Sequence, residues 1–107
     1  MSPQSRIRKQ VLSLEEIQKR LKHKMPELAK LYRVKYLGVF GSYVRGEARK
    51  TSDLDLLVDF EEAPTLIEYI RMERLLSEEL GIKVDLVIKK TLKPHIGKRI
   101  LDEVVPV

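Results

Sequence analysis

The sequence predicts a small α/β (α+β) domain, one mixed β-sheet with its helices mainly on one face, and three observations point there. Two amphipathic helical patterns, each opened by Ser or Thr with Glu three residues later, are interleaved with short apolar runs of strand length. One run, residues 53–60, alternates strictly, so half its side chains face a core and half do not. A glycine closes the first run where the chain must change direction.

In chain order, residues 1–12 are polar and basic with little periodicity, and read as a flexible arm ahead of a single domain at 13–107. Ser13 and Glu16 form a capping box, after which Leu14, Ile17, Leu21, Met25, Leu28 and Tyr32 recur at spacings of three and four. Pro26 keeps the phase of this helix but either kinks or restarts it. Val34–Phe40 is β-branched and aromatic and suits a first strand. A short helix from Ser42 to about Ala48 and a turn through Arg49 to Ser52 come next. In a second strand, Asp53–Phe60, Leu54, Leu56, Val58 and Phe60 face the core, leaving Asp53, Asp55, Leu57 and Asp59 on the other side.

Thr65 and Glu68 form a second capping box. The helix they open is expected to bury Leu66, Tyr69, Ile70, Met72, Leu76 and Leu80, to leave Ile67 and Leu75 exposed, and to stop at Gly81. Ile82–Ile88 is a third strand with Asp85 opposite Val84, Leu86 and Ile88. A last short helix near Pro94 carries Ile96 and Ile100 inward, and Val104–Val107 adds an edge strand or docks on a partner. His23 and His95 read as surface or structural residues.

Apolar residues at 43% and charged residues at 35% describe a folded domain with a charged surface, not a disordered chain. No apolar run approaches the roughly 18 residues of a membrane span, so a cytoplasmic protein without membrane association is expected. The absence of cysteine excludes disulfides and thiolate chemistry. Charge is segregated. Residues 1–35 carry ten Lys/Arg against three Glu (+7), 36–88 six against eleven acids (−5), and 89–107 five against two (+3). An acidic middle suits a carboxylate site that gathers cations, with basic flanks left for an acidic ligand or partner. The basic segments lack interleaved aromatics, and nucleic-acid binding is not expected.

The chemistry gathers in Gly41–Asp55, GSYVRGEARKTSDLD. Gly41 lets the backbone approach a ligand, Ser42 caps a helix start, and the donors there suit a polyphosphate. Asp53 and Asp55, two apart in a strand, project from one face and can share a divalent cation. Asp85 is an acid within an apolar strand. Burying it is costly unless a metal shared with Asp53 and Asp55 compensates it, the alternative being an edge-strand acid in water. A Walker loop is excluded, because Gly46-Glu47-Ala48 offers no lysine.

The string GSYVRGEARKTSDLDLLV resembles the signature of the nucleotidyltransferase superfamily, and in its short form that of the minimal nucleotidyltransferases (MNT proteins). Gly41, Ser42, Arg45, Gly46, Ser52, Asp53 and Asp55 fall on family positions, and Val44 replaces the more usual alanine. The resemblance implies a nucleotidyltransferase fold and a third carboxylate, Asp85, completing the site. It also implies nucleotidyl transfer with two Mg²⁺ ions held by Asp53, Asp55 and Asp85, and ATP gripped by Gly41, Ser42 and Arg45. Paired carboxylates also serve hydrolases, and spacing alone does not decide; the Gly-Ser element and the resemblance favour transfer.

MNT proteins are typically antitoxins of HEPN-domain toxins. The resemblance therefore implies transfer of AMP to a hydroxyl, a tyrosine by family analogy, on a HEPN-type partner. An antitoxin that binds nucleotide without catalysis and acts by occlusion is the alternative. One small sheet leaves nothing to build an acceptor pocket, so the acceptor is expected to be another macromolecule. The basic ends, Ile67, Leu75 and the apolar tail are candidate docking features, equally able to mediate self-association.

Overall fold

The computed structural model describes residues 11–107. The first ten residues of the expected arm lie outside the described residues, while Leu12 packs against the core. Helix α1 (Leu14–Tyr32) starts at Ser13, whose hydroxyl accepts the Glu16 N–H at 3.1 Å. In place of the second half of the expected capping box, the Glu16 carboxylate accepts a hydrogen bond from Arg20 Nε at 3.0 Å. The helix runs through Pro26 without a break. Proline forgoes one backbone hydrogen bond on an exposed face, whereas Leu21 and Leu28 on either side are fully buried and hold the helix in phase. Arg33 ends the helix in the left-handed region at φ 58°, its N–H donating to the Ala29 carbonyl at 3.0 Å.

Four strands form one mixed sheet in the order β3-β2-β1-β4: β1 (Val34–Phe40), β2 (Leu54–Phe60), β3 (Val84–Ile88) and β4 (Val105–Pro106). β1 is antiparallel to β2 and β4, whereas β2 and β3 are parallel. Helices α3 (Leu66–Leu80) and α1 cover one face. Ile17, Leu21 and Leu28 of α1 and Met72, Leu76 and Leu80 of α3 pack with Leu37, Val39, Leu54, Leu56, Val58, Phe60, Val84 and Leu86 of the strands. Each fully buried aliphatic side chain contributes about 1.5–3 kcal/mol. The tail therefore adds an edge strand, and Val107 N–H donates to the Leu37 carbonyl at 3.0 Å.

The second capping box is complete, with Thr65 and Glu68 each accepting the other's backbone N–H. Its helix departs from the expected stripe. Leu66 is 73% and Ile70 46% exposed, Ile67 is exposed as expected, and Leu75 packs against the core. The first turn of α3 stands off the sheet, leaving a groove of about 460 Å³ beside Pro64, Leu66, Tyr69 and Ile88, so periodicity alone overstates its burial. Farther along, α3 closes the outer edge of β3. Ser77 Oγ accepts the Val84 N–H, Glu73 accepts the Leu86 N–H, and the Tyr69 hydroxyl donates to the Leu86 carbonyl. Side chains here do the work of a neighbouring strand.

The other sheet face carries Tyr36, Gly38, Phe40, Asp55, Leu57, Asp85 and Val87, as the pairing register requires. Leu57 is nevertheless fully buried there. A Cβ on the adjacent Gly38 would overlap Val104, which closes this part of the face. Helix α4 (Pro94–Glu103) also reaches this side of the sheet, lining a cleft with Phe40 and Asp55. Ile96, expected inward, is 57% exposed; Gly97 is the buried residue of α4 and packs against Leu92.

Candidate active site

β1 ends at Gly41, whose φ of 84° and ψ of −153° belong to glycine almost alone. A Cβ at that position would overlap the Asp55 carboxylate. The loop and the acid therefore occupy adjoining space, which explains the glycine. Ser42 is the first residue of α2 (Ser42–Arg45), not its cap; Gly41 caps it without a side chain. The Gly41 carbonyl accepts the N–H groups of Val44 and Arg45 at 3.0 and 3.1 Å. Gly46, left-handed at φ 75°, stops the helix after one turn, short of the expected end near Ala48. One turn sums few peptide dipoles, so any attraction for an anion comes from local donors and not from a macrodipole.

The expected turn forms, with Ser52 Oγ accepting the Arg49 N–H at 2.8 Å, and it delivers Asp53 to the start of β2. Asp53 is exposed and lies one residue before the strand. Asp55 is half-buried in β2, opposite Phe40 on one side and Asp85 on the other. Burial pushes the Asp55 carboxyl above its ordinary value, and the like charges of Asp85, Asp53 and Glu103 push the same way against Arg45. That pattern places all three predicted carboxylates in one electrostatic neighbourhood.

Asp85 is exposed on the edge strand β3, so water already solvates it and the desolvation argument for a compensating metal does not apply. What remains is register. Asp85 stands directly across from Asp55. Among the described residues, no three acidic or histidine side chains converge closely enough to cage a metal as they stand. The donor set still suits a hard divalent cation, being carboxylate oxygens on adjacent in-register strands, and side-chain rotation is what closure requires.

A cleft of about 250 Å³ brings together Gly41, Arg45 and Asp55 beneath α4, lined also by Phe40, Ile100 and Glu103; Ser42, Asp53 and Asp85 lie outside its lining. Glu103 escaped the sequence reading. Its Oε2 accepts the Gly41 N–H at 2.6 Å and its Oε1 accepts from Arg45 Nη1 at 2.8 Å. These bonds hold its carboxyl below the usual range, Arg45 contributing most. Arg45, expected to help grip the triphosphate, also donates from Nε to Glu47 at 3.0 Å. One signal for Glu103 was available: Asp102 and Glu103 fall in the last turn of a helix, where acids oppose the dipole and look for a partner. His23 and His95 are exposed.

A glycine-closed strand leading into a one-turn helix, followed by an acid-bearing strand with a parallel acid-bearing neighbour, defines the nucleotidyltransferase class. The chain belongs to that family: the nucleotidyltransferase domain profile matches residues 14–107. Among its relatives, the protein adenylyltransferase MntA of Thermococcus cleftensis is 52% identical over 95 residues, covering 89% of this chain and 96% of that protein. A candidate protein adenylyltransferase of Methanocaldococcus jannaschii is 42% identical over 94 residues, covering 87% and 96%. A solved structure of a candidate minimal nucleotidyltransferase superposes with a TM-score of 0.77 at 38% identity, covering 90% of this chain and 97% of that one. A chain in the complex of a tri-AMPylated Shewanella oneidensis HEPN toxin with its MNT antitoxin gives a TM-score of 0.65 at 15% identity, covering 86% and 69%, a likeness of fold alone. The expected fold and the expected class, a nucleotidyltransferase, are borne out.

Proposed function

We propose that this chain transfers AMP from ATP to a hydroxyl group of a partner protein, the partner being a HEPN-type toxin and the chain its antitoxin. The observation that carries the reading is the placement of Asp55, wedged against Gly41 and directly opposite Asp85. A phosphate-approach loop and paired carboxylates adjoin at one point of the sheet, as transfer of a phosphoryl-linked group requires. The names of the relatives supply the acceptor class, and the HEPN toxin of the structural neighbour supplies the partner.

Asp53, Asp55 and Asp85 are the residues that would hold Mg²⁺, which supplies activation of the attacking hydroxyl and charge neutralisation on the triphosphate. Gly41 offers its N–H and an unobstructed backbone to the β- and γ-phosphates. Ser42 adds a hydroxyl at the same turn, and Arg45, held at the cleft by Glu47 and Glu103, supplies positive charge. Any ion held by these carboxylates would sit beside the cleft, and α4 walls one side of that cleft from water.

The test is to co-express the chain with the protein encoded beside it and weigh that neighbour intact. A gain of one or more AMP units, absent with Asp53→Asn, is expected. The second reading, neutralisation by occlusion, is favoured by one observation: Gly41 N–H and Arg45 are already engaged by Glu103. It would be the correct one if the neighbour bound tightly, gained no mass and stayed inactive with the Asp53→Asn variant.

A further inference from the structure

Glu103 places a carboxylate on two groups that the proposed triphosphate needs. Its two oxygens divide between the Gly41 N–H at 2.6 Å and Arg45 Nη1 at 2.8 Å, a bidentate arrangement that a phosphate would reproduce. The acid is not there for want of other cations, since Arg99 is on its own helix and lines the same cleft. It reaches 62 residues back along the chain to a glycine whose backbone conformation other residues rarely adopt. The C-terminal strand anchors α4 beside β1: β4 pairs with Gly38 and Val39, and Gln18 donates to the Pro106 carbonyl at 3.0 Å. The glutamate is thus delivered to the loop by the scaffold, with its side chain at the border of solvent, 24% exposed.

We propose that Glu103 is a specificity-determining residue, an internal anion seated on the phosphate loop that a triphosphate must displace and a monophosphate does not reach. The inference rests on the reading of Gly41 and Arg45 as phosphate-binding groups. Glu103 satisfies the Gly41 N–H and neutralises Arg45, so neither donor is left without a partner. When ATP enters, two anions cannot share the same donors, and the glutamate rotates out into solvent. Apparent ATP affinity is then lowered by the fraction of time the loop is free; an occupancy of about 70–90% lowers it by about 3- to 10-fold.

Titration calorimetry with ATP and with AMP, each with Mg²⁺, on the wild type, Glu103→Gln and Glu47→Gln tests this. Glu47 also bonds Arg45 but lies outside the contact with the Gly41 N–H, and so reports the plain effect of removing a nearby negative charge. Glu103→Gln is expected to tighten ATP about 3- to 10-fold, AMP less than 2-fold, and to exceed Glu47→Gln clearly. On the unmodified protein, ATP should move the NMR resonance of the Glu103 side-chain carboxylate to that of a free glutamate, together with the Gly41 amide. Equal gains from the two variants, or an ATP affinity that is unchanged or weaker in Glu103→Gln, overturns the proposal. If the Gly41 amide still responds to ATP in that case, the phosphate-loop reading stands and only the role of Glu103 is lost. If neither resonance moves while ATP binds, both fall.

Discussion

Replacing Asp55 by Asn should stabilise the metal-free protein, although Asp55 is the residue most central to the proposed chemistry. The side chain is half-buried, stands directly across the parallel pair from Asp85, and has Asp53 two residues away. Asparagine keeps its shape against Gly41 and removes the charge. Opposed like charges on adjacent strands cost up to about 1 kcal/mol a pair, so a gain of about 1 kcal/mol is expected, or about 4–8 °C in Tm for a domain of this size. The pH dependence comes from the direction of the shift. An acid whose folded-state carboxyl titrates above its ordinary value of 3.8 is destabilising when ionised. The advantage of Asp55→Asn should therefore be full at neutral pH, shrink as pH falls through the raised value, and vanish below 3.8. Adding Mg²⁺ should reverse the order. An ion at 100 times its Kd adds about 2.7 kcal/mol to the wild type and little to the variant. Thermal melts in EDTA and in Mg²⁺, from pH 3 to pH 8, read all of this. An Asn variant that melts below the wild type in EDTA, or an equal Mg²⁺ response from both proteins, would refute the reasoning.

Gly41→Ala should lose at least about 2 kcal/mol in urea unfolding, since it combines a disfavoured backbone conformation with a clash against Asp55. A cost below about 0.5 kcal/mol would mean the loop relaxes freely and is not held against the acid. Arg33→Gly should gain about 0.5–1 kcal/mol by relieving a left-handed non-glycine at the end of α1, measured the same way. Ser42→Ala and Arg45→Ala should weaken ATP binding about 10-fold each while leaving AMP within about 2-fold, because AMP lacks the groups they would contact. Equal losses for both nucleotides in calorimetry would move these residues to another part of the site.

Most of the fold was legible because local preference and burial agree. Thr65 with Glu68 caps a helix whose middle and end bury Met72, Leu76 and Leu80, and the alternation of residues 54–60 separates core from site except at Leu57, which is buried on the site face. Disagreements arise where one element overruns another. Leu66 and Ile70 continue the apolar period of α3, but the helix begins beyond the part of the sheet it packs on, and a hydrophobic period carries no information about where a neighbour ends. Pro26 was undecidable for a related reason. Its local penalty favours a break, and only the burial of Leu21 and Leu28 together outweighs it.

The candidate site was legible where its residues are close in sequence and opaque where they are not. Gly41, Arg45, Asp53 and Asp55 lie within fifteen residues, and strand alternation puts Asp55 on the face opposite Leu54 and Leu56, whereas Asp53 falls one residue before the strand. Asp85 is singled out by its place in an apolar strand, but the burial argument for it does not hold, because β3 lies at the sheet edge and the side chain is exposed. Glu103 depends on a long-range closure that no local pattern encodes: β4 must pair with β1 before the end of α4 can meet the start of α2. The same closure gives partners to the Gly41 N–H and to an arginine beside an acid-bearing strand. A carboxylate from the far end of the fold offsets Arg45 and satisfies the Gly41 N–H, at the cost of adding one more negative charge near Asp55. If Gly41 and Arg45 hold a triphosphate, as proposed, the same carboxylate that partners them competes with that ligand, so one side chain sets stabilisation of the loop against anion binding.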